Sequence, residues 1–381
     1  VNDTLGHDQG DILLVEAARR ITACVRKSDT VARLGGDEFI VIIPELEDVA
    51  SVERVAEAVI STLNDPFSLD NHEAYISASI GITVYRQDST NLDDLFKNVD
   101  QAMYVAKNAG RNRFAYFTAD MQDAALNRMH LANDLRSALA ARQFSVYYQP
   151  IVELASGRIH KAEALIRWHH PARGTVSPPH FIPLAEETGL IVPIGDWVFQ
   201  EAVRQVKQWR DRYDAAFQIS VNKSPVQIRH DGDTHLAWAD YLRHHNIPGQ
   251  SIVIEITEGL LLHPEGNVKH KLLAFRDTGI QVALDDFGTG YSSLAYLKEF
   301  DIDYLKIDRS FVCNLGKNRD DLVLCEAMIV MAHTLGLQVI AEGVETAEQR
   351  DLLLQAGCDY AQGYFYSKPL PPDEFEKLLM P

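Results

Sequence analysis

Seven short β-rich runs, each interrupted by a polar residue and separated from the next by a longer stretch, occupy the chain from about residue 143 to its end. They are Ala162–Trp168, Gln218–Asn222, Ile252–Thr257, Gln281–Phe287, Tyr304–Asp308, Gln338–Gly343 and Tyr360–Phe365. Helical patterns fill the gaps, for example at about 194–212 and 320–335. Apolar strands alternating with helices predict parallel strands joined by crossover helices, because such strands are covered on both faces. This many repeats favours a closed (β/α)8 barrel, a TIM-like α/β fold, over an open sheet.

The polar residues in these strands are Glu163, Asn222, Glu255, Asp285 with Asp286, Lys306, Glu342 and Gln362. All parallel strands of a barrel point their C-terminal ends at one face, where the active sites of such folds lie. Five carboxylates brought there cannot all ionise unless a cation holds them. The donor set is all oxygen, which suits Mg²⁺, Mn²⁺ or Ca²⁺ over zinc. Two such ions clamp the attacking and leaving oxygens in phosphoryl hydrolysis. Lys306 adds a fixed positive charge that could orient a water or stabilise developing negative charge. The run Phe287-Gly288-Thr289-Gly290-Tyr291-Ser292-Ser293 suits a gating loop over the metals. Glycoside hydrolysis needs only two carboxylates and no metal, and leaves Asn222, Lys306 and the other acids without a role.

Composition narrows the partners. The 381 residues carry 54 acids and 36 basic residues, a formal net charge of −18, spread over both halves of the chain. That balance argues against sequence-blind binding to a nucleic-acid polymer and against a polybasic grip on anionic membrane. Phosphate recognition through bridging metal ions stays open. Cys24, Cys313, Cys325 and Cys358 show no zinc-binding or C-x-x-C spacing, and read as reduced thiols of an intracellular protein. No apolar run is long enough to span a bilayer. The expected location is the cytoplasm. The chain opens on Val inside what reads as a motif, so a longer parent is expected, with room for an upstream membrane tether.

Residues 1–118 read as a separate α+β unit. Apolar spacing predicts a helix over Asp11–Arg26, then two β-rich runs, Val31–Leu34 and Glu38–Ile43, around the tight turn at Gly35-Gly36. A helix at about 49–63, a strand over Tyr75–Tyr85 and a helix at about 92–109 follow. Residues 119–130 read as a helical connector and 131–381 as the barrel unit.

The stretch Glu163-Ala164-Leu165-Ile166-Arg167-Trp168 resembles the motif that names EAL-domain phosphodiesterases of the bacterial second messenger cyclic di-GMP. The resemblance continues through YYQPI at 147–151, FIPLAEETGLI at 181–191, SVNKSP at 220–225, EITE at 255–258, LDDFGTGYSSL at 284–294, LKIDRSF at 305–311, AEGVET at 341–346 and AQGYFYSKPL at 361–370. It implies a barrel whose first strand runs antiparallel, and metal-dependent hydrolysis of cyclic di-GMP to linear pGpG. It implies Glu163, Asn222, Glu255, Asp285, Asp286, Glu342 and Gln362 as contacts of two Mg²⁺ or Mn²⁺ ions. Lys306 matches the residue that assists the attacking water, and Glu258 the acid that positions the Asp-Asp-Phe-Gly loop. Gln149, Leu165 and Arg167 match substrate contacts. No acid of the pattern is missing, so the resemblance favours an active hydrolase over a non-hydrolysing cyclic di-GMP receptor. A homodimer through the barrel is expected.

Residues 1–118 resemble a GGDEF, or diguanylate cyclase, domain of palm-like, ferredoxin-like α+β fold. Gly35-Gly36-Asp37-Glu38-Phe39 is the naming motif. Asn2, Asp11, Asp37, Glu38, Lys107 and Arg111 match nucleotide contacts, and Arg26 with Asp29 the product-inhibition motif. GTP or cyclic di-GMP is the implied ligand, and a regulatory role the implied function. The family's first strand and its metal-binding Asp would precede Val1, so cyclase activity is expected only of a longer parent, which would then be bifunctional. His169-His170 and His244-His245 do not offer helical metal-site spacing, Asp231-Gly232-Asp233 reads as a turn, and Trp197 and Trp209 as core anchors.

Overall fold

The computed structural model describes residues 6–44, 49–69, 72–229, 234–262, 268–289, 300–316 and 319–380. The chain divides into two units, Val1–His130 and Leu131–Pro381.

In the first unit α1 (His7–Ala23) precedes the hairpin β1 (Thr30–Gly35) and β2 (Glu38–Ile42). Helix α2 (Val49–Asn64), the short pair β3 (Phe67–Leu69) and β4 (His72–Ala74), β5 (Ser79–Ile82), α3 (Leu92–Asn108) and β6 (Arg113–Tyr116) follow. The hairpin turns at Gly36, whose φ of 55° lies where glycine meets no Cβ clash. Helix α1 begins earlier and ends earlier than its apolar spacing predicts. Gly6 caps its start, and beyond Cys24 the Asp29 carboxylate accepts from the Arg26 backbone N–H at 2.8 Å, closing a turn in place of another helical turn. Of the strand expected over Tyr75–Tyr85 only β5 forms, β4 ending before it at Ala74, and β5 pairs in parallel with β6. Leu13, Ala17 and Ile21 of α1 pack with Val59, Leu63, Phe67 and Leu69 as the core of this unit.

Helix α4 (Ala119–Ala138) leads into the barrel strands β7 (Phe144–Glu153), β8 (Ile159–His170) and β9 (Gly174–Val176), followed by helices α5 (Pro178–Glu187) and α6 (Ile191–Arg212). Then come β10 (Gln218–Asn222), α7 (Pro225–Arg229), α8 (Thr234–His244), β11 (Ile252–Thr257), α9 (Glu258–Leu262) and α10 (Val268–Asp277). The series ends with β12 (Gln281–Phe287), β13 (Tyr304–Ile307), α11 (Arg309–Val312), α12 (Arg319–Thr334), β14 (Gln338–Ala341), α13 (Ala347–Gln355), β15 (Tyr360–Gln362) and α14 (Pro372–Leu379). Strands β8 and β10 through β15 are parallel neighbours in chain order, and β7 closes the ring, antiparallel to both β15 and β8. Eight strands therefore form a closed barrel, with β9 attached outside on β8.

The period-2 alternation of strands sorts the barrel's side chains. Ile254, Val282, Leu284, Leu305, Val339 and Ala361 face the helices in the large outer core, with Trp209 and Phe199. Ile151, Val253, Ala283, Tyr304, Ile340 and Tyr360 form a separate buried layer inside the ring. Below it Lys161 donates to the Tyr304 hydroxyl at 2.7 Å and to Gln218. Two residues above the apolar layer on these strands stand Gln149, Glu255, Asp285, Lys306, Glu342 and Gln362. The apolar layer is thus a floor under the groups singled out in the sequence.

Candidate active site

Glu163 does not lie near the C-terminal end of its strand, as the other acids do. It sits in the first half of the twelve-residue β8, because β7 and β8 continue as a ribbon above the rim of the barrel. Register nevertheless brings it level with the rest, since Glu163 pairs with Ser220 on β10 and with Gln149 on β7.

Two hydrogen-bonded sets result. In the first, both Glu163 oxygens accept: Oε1 from Asn222 Nδ2 at 2.6 Å and Oε2 from Gln362 Nε2 at 2.6 Å. Gln362 Nε2 also reaches Gln149 Oε1 at 3.1 Å, and Gln149 Nε2 donates to the Ser367 carbonyl. In the second, Lys306 Nζ is ringed by Glu255 Oε2 at 2.7 Å, Asp285 Oδ1 at 3.2 Å and Glu342 Oε1 at 2.6 Å. Asp285, Asp286 and Glu342 each offer an oxygen within 4.8 Å of the others.

Strand β12 delivers its acid pair through an irregularity. Its register against β13 shifts between Leu284 and Phe287, and Asp286 takes a left-handed φ of 55°. A non-glycine residue there is uncommon and clusters at functional sites. Glu258, at the start of α9, accepts from the Gly288 backbone N–H at 3.0 Å and so anchors the segment just past the pair.

The electrostatics are those of too many acids for one ammonium. Burial opposes the charge of Lys306, but Asp285, Glu163, Glu255 and Glu342 outweigh it and hold the ammonium well above its ordinary range. Burial pushes the Glu342 carboxyl up to about 7, with Lys306 opposing and Asp285 and Glu163 adding to the rise. Glu255, fully enclosed, is raised well above the carboxylate range by burial, and Asp286 is raised by burial and by Asp285. Glu255 Oε1 is buried with no hydrogen-bond partner. A crowd of hard oxygen donors with raised carboxyls and an orphaned buried oxygen fits divalent cations of the Mg²⁺ and Mn²⁺ kind.

Residues 132–369 match the EAL domain and residues 1–113 the GGDEF domain of diguanylate cyclases. The chain belongs to the EAL-domain family. In this GGDEF–EAL tandem, residues 1–130 and 131–381 are the two compact units described above. The chain is 42% identical over 374 residues to the bifunctional diguanylate cyclase/cyclic di-GMP phosphodiesterase MucR of Pseudomonas aeruginosa, covering 98% of this chain and 54% of that protein. It is 38% identical over 377 residues to the cyclic di-GMP phosphodiesterase PdeR of Escherichia coli, covering 99% and 56%. The chain spans about half the length of the curated relatives it matches. Among solved structures, the PaMucR phosphodiesterase in complex with c-di-GMP superposes with a TM-score of 0.62 at 39% identity, covering 65% of this chain and 99% of that one.

Leu165 and Arg167 lie on the β8 ribbon above Glu163, Leu165 opposite Tyr147 and Arg167 opposite Ser145. In the GGDEF domain Glu38 pairs with Gly35 at the hairpin turn, with Asp37 beside it. Asp11 is exposed on α1, Lys107 at the end of α3, and Arg111 just beyond, in a left-handed turn. Asn2, the glycine-serine stretch from Gly290 onward and Asp231-Gly232-Asp233 lie outside the described residues. The seven β-rich runs leave out β7, which is the antiparallel first strand that the resemblance implies. The alternation of buried Val146 and Tyr148 against half-buried Ser145 and Tyr147 was its signal.

Proposed function

We propose that the EAL barrel hydrolyses one phosphodiester of cyclic di-GMP, adding water across a P–O bond to give linear pGpG. The observation that carries this reading is the convergence of five carboxylates and Lys306 above the apolar floor, each acid of the pattern being present. Bound divalent metal, two Mg²⁺ or Mn²⁺ ions per barrel, supplies Lewis-acid polarisation of the phosphate and of a water. Glu163, Asn222, Glu255, Asp285, Asp286, Glu342 and Gln362 are the residues that would hold it. Lys306 keeps Glu255, Asp285 and Glu342 converged and directs a charged donor at the reacting oxygens. Glu258 steadies the acid pair through Gly288. Gln149, Leu165 and Arg167 bind the dinucleotide, the Arg167 guanidinium offering its fork to a phosphate. The names of MucR and PdeR support the same chemistry. The test is incubation with cyclic di-GMP and Mg²⁺ or Mn²⁺: pGpG should form, and both EDTA and Glu163→Gln should stop it. Tight binding without turnover would establish a receptor instead.

The GGDEF domain is proposed as a nucleotide-binding regulator. Its naming motif is intact on a well-formed hairpin, with Asp37, Glu38, Asn2, Asp11, Lys107 and Arg111 as the GTP contacts and Arg26 with Asp29 as an inhibitory cyclic di-GMP site. A change in phosphodiesterase rate on adding GTP supports this, and an unchanged rate without GTP binding refutes it. A homodimer is proposed through α12, where Val323, Leu324, Ala327 and Val330 leave an apolar stripe exposed. Light scattering of wild type against Val330→Glu tests it. Among the described residues no helix is long and apolar enough to cross a membrane; the reading sets the reaction in the cytoplasm.

A further inference from the structure

Above the acid layer, strands β7 and β8 run on as a two-stranded ribbon, so one wall of the site's mouth is sheet. Alternation puts Tyr147 on the face of Gln149, and Leu165, Arg167 and His169 on the face of Glu163. The other face holds Phe144, Val146, Tyr148 and Trp168, all buried. Tyr147 is half-buried and stands directly opposite Leu165, one side-chain step, roughly 7 Å, above the Gln149–Glu163 pair.

The ring of Tyr147 has two neighbours on β8. The Arg167 guanidinium carbon lies 5.5 Å from its centroid, within cation–π range. The His169 ring lies 6.3 Å away, tilted by 44°. His169 is itself pinned, its Nε2 sharing a 2.7 Å hydrogen bond with Ser145 Oγ and its Nδ1 lying 3.4 Å from Thr175 Oγ1. A fixed aromatic ring one step from a phosphodiester-cutting centre is placed where a nucleotide's base would lie when its phosphate is in the centre. Base–aromatic stacking is a strong recognition term, and an already ordered ring gives up little entropy in making it.

We propose that Tyr147 is a specificity-determining residue of the barrel: a purine base of the cyclic dinucleotide stacks on its ring, which Arg167 and His169 hold in place. This rests on the phosphodiesterase reading above and adds a base-recognition element to it. The role is uniform binding of substrate, so it belongs in KM and leaves the chemical step alone.

The experiment compares wild type, Tyr147→Leu and Tyr147→Trp on cyclic di-GMP and on bis(p-nitrophenyl) phosphate, a phosphodiester without a purine. Tyr147→Leu should raise KM for cyclic di-GMP by roughly 5- to 100-fold, the range of one lost stacked base, with kcat within about twofold. Tyr147→Trp should keep KM near wild type, and turnover of the baseless diester should be equal in all three. An unchanged KM in Tyr147→Leu overturns the proposal, as does an equal loss on both substrates, which marks a structural role. If wild type hydrolyses neither substrate, the phosphodiesterase reading fails by itself. Equilibrium binding of cyclic di-GMP then decides on Tyr147: weaker binding to Tyr147→Leu upholds its role and equal binding overturns it.

Discussion

Lys306 Nζ and Glu255 Oε2 lie 2.7 Å apart with almost no solvent on either side chain. Each makes the other's burial tolerable, and removing one partner of such a pair costs about 3–5 kcal/mol, since a charge is left stranded. Lys306→Met should therefore lower the urea midpoint of the metal-free protein, and Glu255→Gln combined with it should recover part of the loss. A Lys306→Met variant as stable as wild type would remove the pairing argument. Its turnover of cyclic di-GMP should fall at least 100-fold, beyond what lost stability explains.

The raised Glu342 carboxyl gives the metal-free protein a pH signature. A carboxyl at about 7 in the fold and near 4.5 when unfolded keeps a proton the unfolded chain has already released. Its stabilising contribution is complete below pH 4.5 and is lost as pH rises through 7, by about 3 kcal/mol in all. In EDTA, unfolding midpoints should fall from pH 5 to pH 8, and Glu342→Gln should flatten that fall. A slope that is the same in Glu342→Gln would assign it to other groups.

Divalent ions should act in the opposite sense. A cation among Asp285, Asp286 and Glu342 replaces protons and relieves like-charge repulsion, so Mn²⁺ should raise the melting temperature, and more at pH 8 than at pH 5.5. Asp285→Asn should abolish most of that rise while folding normally. Melting temperatures that ignore Mn²⁺ would speak against a resident ion at this cluster.

Much of the barrel was legible because parallel strands buried on both faces leave few places for a charge. Glu255, Asp285 and Lys306 broke apolar runs and so declared themselves. Glu163 was found by its charge, but its height in the barrel was not, because the β7–β8 ribbon overruns the rim and only register places it opposite Ser220 and Gln149. Strand β7 carries no charged residue among its inward positions until Glu153, so periodicity gave it little weight. The left-handed turn at Asp286 could not be read at all: nothing in an Asp-Asp-Phe sequence requires a positive φ there, and it coincides with the break in register against β13. In the GGDEF domain the hairpin was plain from Gly35-Gly36, while β5 and β6 are four residues each and too short for alternation to define.

Glu258 acts at a distance from the cluster, through the Gly288 backbone N–H. Glu258→Ala should leave the fold intact, the hydrogen bond from Gly288 being worth about 1–3 kcal/mol. Turnover should drop by 10-fold or more and Mn²⁺ affinity should weaken, because Asp286 loses its anchor. Glu258→Gln, which can still accept from Gly288, should recover part of both. Equal failure of the two variants would mean that the charge, and not the hydrogen bond, matters.

Gly363 offers the sharpest steric test. A Cβ at this position would come within 2.0 Å of the Val344 carbonyl oxygen and 2.3 Å of its nitrogen, both backbone atoms that cannot swing aside. The contact is part of a backbone clasp: Val344 N–H donates to the Gln362 carbonyl and Phe365 N–H to the Val344 carbonyl, each at 3.0 Å. That clasp sets Gln362 against Glu163 and Glu342 against Lys306. Gly363→Ala must push the two loops apart, so it should lower the melting temperature by several degrees and abolish turnover, although alanine carries no charge and lies outside the donor set. Truncating the Val344 side chain should not rescue it, because the clash is with main chain. A Gly363→Ala protein with wild-type turnover would show that the clasp between the ends of β14 and β15 does not position the acids.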